Sequence, residues 1–206
     1  MELSRTHPLA PVSSTKIAAV EKVRGKGMNF RTALQMLERM KGKVMLQAII
    51  EQMPPESRDA IRYGRIVAGG WYPVSWYREL HASAQRVCRA GPELARAIGH
   101  DATVEDFRGI YRYLLAMLSP EFIFSQAPKL LQMYWEGGEA EKVEVRKGMG
   151  SLRFRGWKGF DRNVWEDIMG STEGLLELCN STAIRRRIIA GGDDTSGELW
   201  VEFRWL

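Results

Sequence analysis

Gly69-Gly70-Trp71-Tyr72-Pro73-Val74-Ser75-Trp76-Tyr77-Arg78-Glu79-Leu80 sets four large aromatic side chains between a glycine pair and the start of a helix. The glycines let the backbone turn freely, and Pro73 is preset for the entry of the helix that follows. Val74, Tyr77, Leu80, Ala84, Val87 and Cys88 then recur at helical spacing, which predicts a helix to about residue 89. The segment offers no base, metal-ligand set or activated nucleophile. It therefore reads as a packing hinge or as the wall of a binding cavity.

On its N-terminal side the pattern is helical. Asn29 is an expected N-cap for a helix over 30–40, with Ala33, Leu34, Leu37 and Met40 on one face. A strongly apolar helix over 44–53 follows, and Pro54-Pro55-Glu56 ends it and opens a third through residue 61. Residues 16–23 fit a strand or a short helix, and residues 1–15, with two prolines, read as a loose arm. On the C-terminal side, Gly91-Pro92 opens a helix that Gly99 is expected to close. Thr103 is the expected cap of another over 103–118, and Pro120 precedes a last helix over 122–135 in which Pro128 is a candidate kink.

After Gly137-Gly138 the period changes. Residues 141–147 and 151–158 alternate around the turn Gly148-Met149-Gly150. Asp161 caps a helix carrying Val164, Trp165, Ile168, Leu175, Leu176 and Cys179, and two further strands, 183–190 and 198–205, close the chain. The expected class is α/β, more narrowly α+β: a helical N-terminal half (16–136) followed by a ββαββ antiparallel-sheet block (137–206). With the arm at 1–15, residues 16–206 read as one domain.

The composition, 45% hydrophobic and 27% charged in 206 residues, is that of a globular chain. No run approaches the roughly 20 apolar residues of a membrane span, and no secretory signal pattern opens the chain. Cys88 and Cys179 stand apart, outside any metal or disulfide spacing, so a reduced, cytoplasmic setting is the default expectation. The net charge of +5 is uneven, because residues 1–100 carry 16 Lys/Arg against 8 Asp/Glu while residues 101–140 are acidic. The basic run at 16–43 could attract nucleic acid, yet a dedicated nucleic-acid domain is usually more focused.

Several constellations carry candidate chemistry. Trp71, Tyr72, Trp76 and Tyr77, with Tyr134 and Trp135 near the boundary of the halves, could wall a pocket for a small apolar ligand, or simply fill the core. Arg146, Arg153 and Arg155 project from one side of the first hairpin, and Arg185 and Arg187 from the third strand, as a docking surface for carboxylates or a plain solvated face. His81 reads as a polar-surface residue or a lone general base, His100 as part of a helix-end turn. Asp193-Asp194 is a glycine-flanked turn rather than a calcium loop, and Gly25-Lys26-Gly27 lacks the length of a phosphate-binding loop.

Gly27-x-x-Phe30, the stretch 46–55, Trp71-Tyr72-Pro73 with Tyr77, Ala97-Ile98-Gly99, Pro120 and the terminal Val201-x-Phe203-x-Trp205 together resemble one known arrangement. It is the superfamily of heme-nitric-oxide/oxygen-binding and 4-vinyl-reductase-type sensor domains. Within it, the chain most resembles a family of unknown function found as many paralogues in myxobacteria. The resemblance covers about residues 20–206. It implies a non-enzymatic regulatory or signalling module that binds a protein partner, a homodimer among the options, or a small apolar ligand.

The heme-binding relatives hold iron through a histidine on an N-terminal-half helix and clamp the propionates with a Tyr-x-Ser-x-Arg motif. Here 103–118 contains no histidine, and the corresponding strand reads Val143-Glu144-Val145-Arg146. The expectation is a heme-free module without cofactor or metal. The alternative is a nucleic-acid-binding protein using 16–43 and the arginine strands.

Overall fold

Proline, glycine and a few short polar caps place most of the element boundaries, and the computed structural model shows how they do so over residues 22–107, 113 and 115–206. The expected arm 1–15, residues 16–21, and residues 108–112 and 114 of the helix expected over 103–118 lie outside the described residues. β1 (Arg24–Lys26) leads directly into α1 (Gly27–Lys41), followed by α2 (Lys43–Glu51) and α3 (Pro55–Arg62), which starts on a proline. The aromatic hinge is itself a strand, β2 (Trp71–Pro73), running without a break into α4 (Val74–Cys88). Then come α5 (Glu93–Asp106), α6 (Pro120–Tyr134) and the short β3 (Trp135–Glu136).

The closing block is β4 (Glu139–Arg146), β5 (Met149–Arg155), α7 (Arg162–Leu178), β6 (Arg185–Gly191) and β7 (Leu199–Arg204). This is the ββαββ order expected. Asp161 caps as read, its Oδ1 accepting from the Val164 amide at 3.0 Å, and Ser119, not singled out in the sequence, caps α6 through its Oγ, which accepts from the Phe122 amide at 3.1 Å.

Two antiparallel sheets result, in the orders β4-β5-β7-β6 and β2-β1-β3. The second sheet was not expected in a helical half, because strands of two or three residues have no period to read. It is held by a close approach: a Cβ on Gly25 would lie 2.8 Å from the Trp135 ring. In the larger sheet, Gly150, Leu152 and Phe154 pair with Phe203, Val201 and Leu199, and all six face the core. Phe124 of α6 stacks over Gly150, where any side chain would collide with its ring, and meets Phe203 at 5.9 Å.

Three readings of single residues are corrected. Gly99 does not end a helix, since α5 passes straight through it; it is a glycine because α7 crosses there. A Cβ on Gly99 would strike the Asp167 carbonyl, and one on Gly170 the Arg96 carbonyl. Thr103 is accordingly a buried residue in the last turn of α5, not an N-cap. Asn29 lies inside α1, where its amide donates to the Tyr134 carbonyl at 3.1 Å and ties α1 to the end of α6.

The centre of the core is aromatic. Phe154, Trp157, Phe160 and Trp165 are buried, with Phe160–Trp165 centroids 4.8 Å apart and Trp157–Phe160 5.1 Å apart. Rings of this kind each bury roughly 150–250 Å², about 4–6 kcal/mol at ~25 cal/mol per Å² as an upper bound. Among the described residues no helix is long and apolar enough to cross a membrane, and both cysteines are free thiols.

Candidate functional site

Where α1, α5, α6 and α7 converge below the hinge helix, the packing leaves a cavity of about 120 Å³. Its walls are largely apolar. α6 supplies Ala127, Leu130 and Leu131, α7 supplies Ile168 and Leu175, and Ala102 and Phe107 come from the end of α5. Tyr77, Tyr134 and Trp135 add aromatic surface. Its polar groups are Asn29, Thr32, Thr103, Asp106, Asp167, Ser171 and Thr172.

Most of those polar groups are already engaged. Thr32, Ser171 and Thr172 hydroxyls donate to the carbonyls of Met28, Gly99 and Ile168 at 3.1, 3.2 and 2.9 Å, and Asn29 is committed to Tyr134. Asp167 is buried, and its Oδ2 accepts from the Tyr77 hydroxyl at 3.1 Å. Burial, and next the Asp167 charge, push the Tyr77 phenol well above its ordinary range, so it remains a proton donor. The Tyr134 phenol is likewise raised, by burial first and then by the charge of Asp106.

Asp106 differs. It sits exposed at the cavity mouth, at the last position of α5, and among the described residues no cation is ion-paired with it. Partial desolvation lifts its carboxyl above the usual range.

Of the six aromatics singled out in the sequence, the fold brings Tyr77, Tyr134 and Trp135 to the cavity. Trp71, Tyr72 and Trp76 lie away from its lining and secure the hinge instead. The Tyr72 hydroxyl accepts from the Val67 amide at 2.8 Å and donates to the Arg65 carbonyl at 2.9 Å. Tyr72 also stacks on Trp76 with centroids 5.9 Å apart, and Trp71 lies under the Lys26 ammonium at 5.4 Å. The turn in α4 between Trp76 and Tyr77 thus separates hinge from cavity.

The histidines are not where the sequence suggested. His81 is 1% exposed, edge-on to Tyr77, with Nε2 3.4 Å from Asp167 Oδ2 but out of line for a hydrogen bond. It lies behind Asp167, outside the cavity lining. His100 is inside α5 and bridges Asp101 and Glu177, each at 2.9 Å. The Asp193 carboxylate accepts from the Thr195 and Ser196 amides, which hold it at about 2, as a turn residue should be. Among the described residues no cluster of His, Cys, Asp and Glu could hold a metal.

The arginines of the sheet share an outer face, as alternation from the pair Arg153–Glu141 to Arg187–Glu202 requires. Glutamates interleave them. Arg146 pairs with Glu144 at 3.2 Å, Arg155 with Glu141 at 3.2 Å, Arg153 with Glu141 at 3.9 Å and Arg187 with Glu202 at 3.7 Å. Arg153 also lies over the Trp200 ring at 4.2 Å, while Arg185 stands opposite Arg204. Arg186 turns inward and pairs with Glu166 of α7 at 2.8 Å.

The two acids of the site, Asp106 and Asp167, were missed. A signal for Asp167 existed: it stands three residues after Val164 and four before Ser171, on the buried stripe of α7, where a carboxylate has no packing reason to be.

Helices bundled over one small sheet and capped by a ββαββ block, with a small cavity among the helices, define an α+β architecture. The architecture is that of the H-NOX domains. The Fe(II) unliganded H-NOX protein from K. algicida superposes with a TM-score of 0.65 at 19% identity, covering 88% of this chain and 96% of that one. An oxygen-binding H-NOX domain related to soluble guanylate cyclases gives 0.61 at 15%, over 87% and 94%. A variant of the T. Tengcongensis H-NOX gives 0.60 at 14%, over 87% and 97%. No protein-family model and no curated protein matches the sequence. What is shared with these structures is the fold.

Proposed function

We propose that this protein is a heme-free, non-enzymatic sensor module of H-NOX-like fold that takes one small ligand in the cavity and signals through a protein partner. The finer placement goes with it: the chain fits the myxobacterial paralogous branch that it resembles. The observation that carries the reading is the cavity lining, which holds two aspartates and, among the described residues, no lysine, arginine or histidine.

Heme does not fit that lining. Its propionates would meet Asp106 and Asp167 instead of cations, an unfavourable pairing in a partly dry site. The iron would find no histidine, cysteine or methionine among the lining residues. Tyrosine can hold heme iron, but as the anion, and both Tyr77 and Tyr134 are biased toward the neutral phenol. The volume agrees, since about 120 Å³ is well short of the roughly 300–1,000 Å³ of ordinary ligand pockets and near the ~150 Å³ of a cavity that takes one benzene ring.

Catalysis lacks a working pair. Ser171 and Thr172 spend their hydroxyl protons on helix carbonyls, and His81 is screened from the cavity by Asp167. The mixed-charge outer face around Arg146, Arg153, Arg155, Arg185 and Arg187 is the surface we assign to the partner. It is poorly suited to nucleic acid, because its glutamates would face the phosphates.

Hemin titration with native mass spectrometry tests the reading. The expected result is no coordinated Soret band and no stoichiometric heme adduct, together with one-to-one uptake of a ring-sized molecule such as benzyl alcohol. A ligated, stoichiometric heme complex would overturn the heme-free assignment. Failure of any small molecule to enter would overturn the ligand-binding one.

A further inference from the structure

Among the described residues the charged groups of the cavity lining are two aspartates, inside a protein whose net charge is +5. Long-range attraction therefore does not favour cations, and any preference for them must come from the lining itself. Three features of that lining point the same way.

Asp106 closes α5, and Glu105 precedes it, with no basic residue in that last turn. Both acids stand where the helix macrodipole is already negative, an arrangement that favours a cation beside them. Glu105 is satisfied by Arg39 at 3.0 Å, and Asp106 has no such partner among the described residues. At the floor, Asp167 accepts one hydrogen bond, from Tyr77, and has the capacity for more. The same lining includes Phe107, Tyr134 and Trp135, and the face of an aromatic ring attracts an ammonium group.

We infer that the ligand is a small organic ammonium ion, an apolar body of about one ring bearing a protonated amine held by Asp106 at the mouth of the cavity. This rests on the ligand-binding reading above and narrows it from a small apolar molecule to a cation. The Asp106 carboxyl, held above its usual range by partial desolvation at the cavity rim, is consistent with the same geometry, since an ammonium group would offset that desolvation. Ala127, Leu131 and Leu175 would surround the apolar body.

The experiment compares benzylamine, benzyl alcohol and benzoate, three molecules of one shape and different charge, by titration calorimetry of the full chain at pH 7. Benzylamine should bind about tenfold or more tighter than benzyl alcohol, as expected for a charge-assisted hydrogen bond over a neutral one, with benzoate weakest. Asp106→Asn should remove that tenfold advantage and leave benzyl alcohol within about twofold of its original affinity. Ala127→Phe, which plugs the cavity without touching the acid, should abolish benzylamine binding and so exclude adsorption to surface carboxylates. Circular dichroism on each variant confirms that it is folded.

Equal affinity for benzylamine and benzyl alcohol would overturn the cation assignment while leaving the cavity as a binding site. Preference for benzoate would do the same. Unchanged benzylamine affinity in Asp106→Asn would overturn the role of Asp106, and failure of all three molecules to bind would overturn the underlying ligand-binding reading itself.

Discussion

Trp135 has two sides that belong to different kinds of protein interior. One ring contact, to Phe160 at 5.0 Å, joins it to the cluster of Phe154, Trp157, Phe160 and Trp165, where aromatic edges meet faces and the space is filled. Another, to Tyr77 at 5.2 Å, borders the cavity, where carboxylates and hydroxyls stand among the apolar walls and about 120 Å³ stays open. The two regions share α7: Trp165 points into the first and Asp167 lines the second. Side chains that can interlock close a space, whereas polar groups that must keep their hydrogen bonds pack less completely.

The sharpest way to break that contrast is to remove volume on each side. Trp165→Ala should cost about 3–5 kcal/mol, all of it packing, because the indole N–H has no hydrogen-bond partner to lose. Leu131→Ala, at the cavity wall, should cost below about 2 kcal/mol, since that side chain is only partly buried and already borders empty space. Urea denaturation of both variants measures the difference. Equal losses would mean that the cavity region is packed as tightly as the aromatic cluster.

A smaller effect separates two kinds of glycine. Gly99→Ala should destabilise by about 1–3 kcal/mol, because the methyl group displaces the Asp167 carbonyl and with it α7. Gly69→Ala, in the hinge, meets nothing within 4 Å and should fall within about 0.5 kcal/mol of the parent. If the two variants melt alike, the α5–α7 crossing is not the tight contact described above. Gly99→Ala should also weaken benzylamine binding, since it moves the helix that carries Asp167.

The same glycine shows how much of the molecule was readable beforehand. The ββαββ block was legible throughout because its signals are local: alternation in β5 and β7, Gly148 in the hairpin turn, Asp161 as a cap. Gly99 carries an equally local sign of a helix end, and that sign misleads, since the reason for the glycine lies on α7, some 70 residues later in the chain. The candidate site was half legible. Tyr77, Tyr134 and Trp135 stood out as aromatics, whereas Asp106 and Asp167 look like ordinary surface acids until the helices are assembled. Trp71 and Trp76 look identical to Tyr77 by composition. Only the direction in which α4 leaves the hinge decides which ring meets the cavity.

The smallest expected effect lies at the far end of the same crossing. Burial alone would lower the pKa of His100, but its hydrogen bonds to Asp101 and Glu177, and their charges, outweigh burial and raise it. A histidine raised in the folded state stabilises the fold fully below its unfolded value, and that contribution fades as pH rises through the folded value. The clamp therefore holds α5 to α7 in mildly acidic solution and weakens above neutrality. Both carboxylates are about half exposed, so solvent screening keeps the effect near 0.2–1 kcal/mol. His100→Gln should lower the melting temperature at pH 5.5 and leave it almost unchanged at pH 9. A loss of the same size at both values would show that His100 acts through packing instead of charge. The crossing would then rest on its close glycine contacts and on bonds such as Ser171 to the Gly99 carbonyl, and the cavity beside it would be insensitive to pH through this residue.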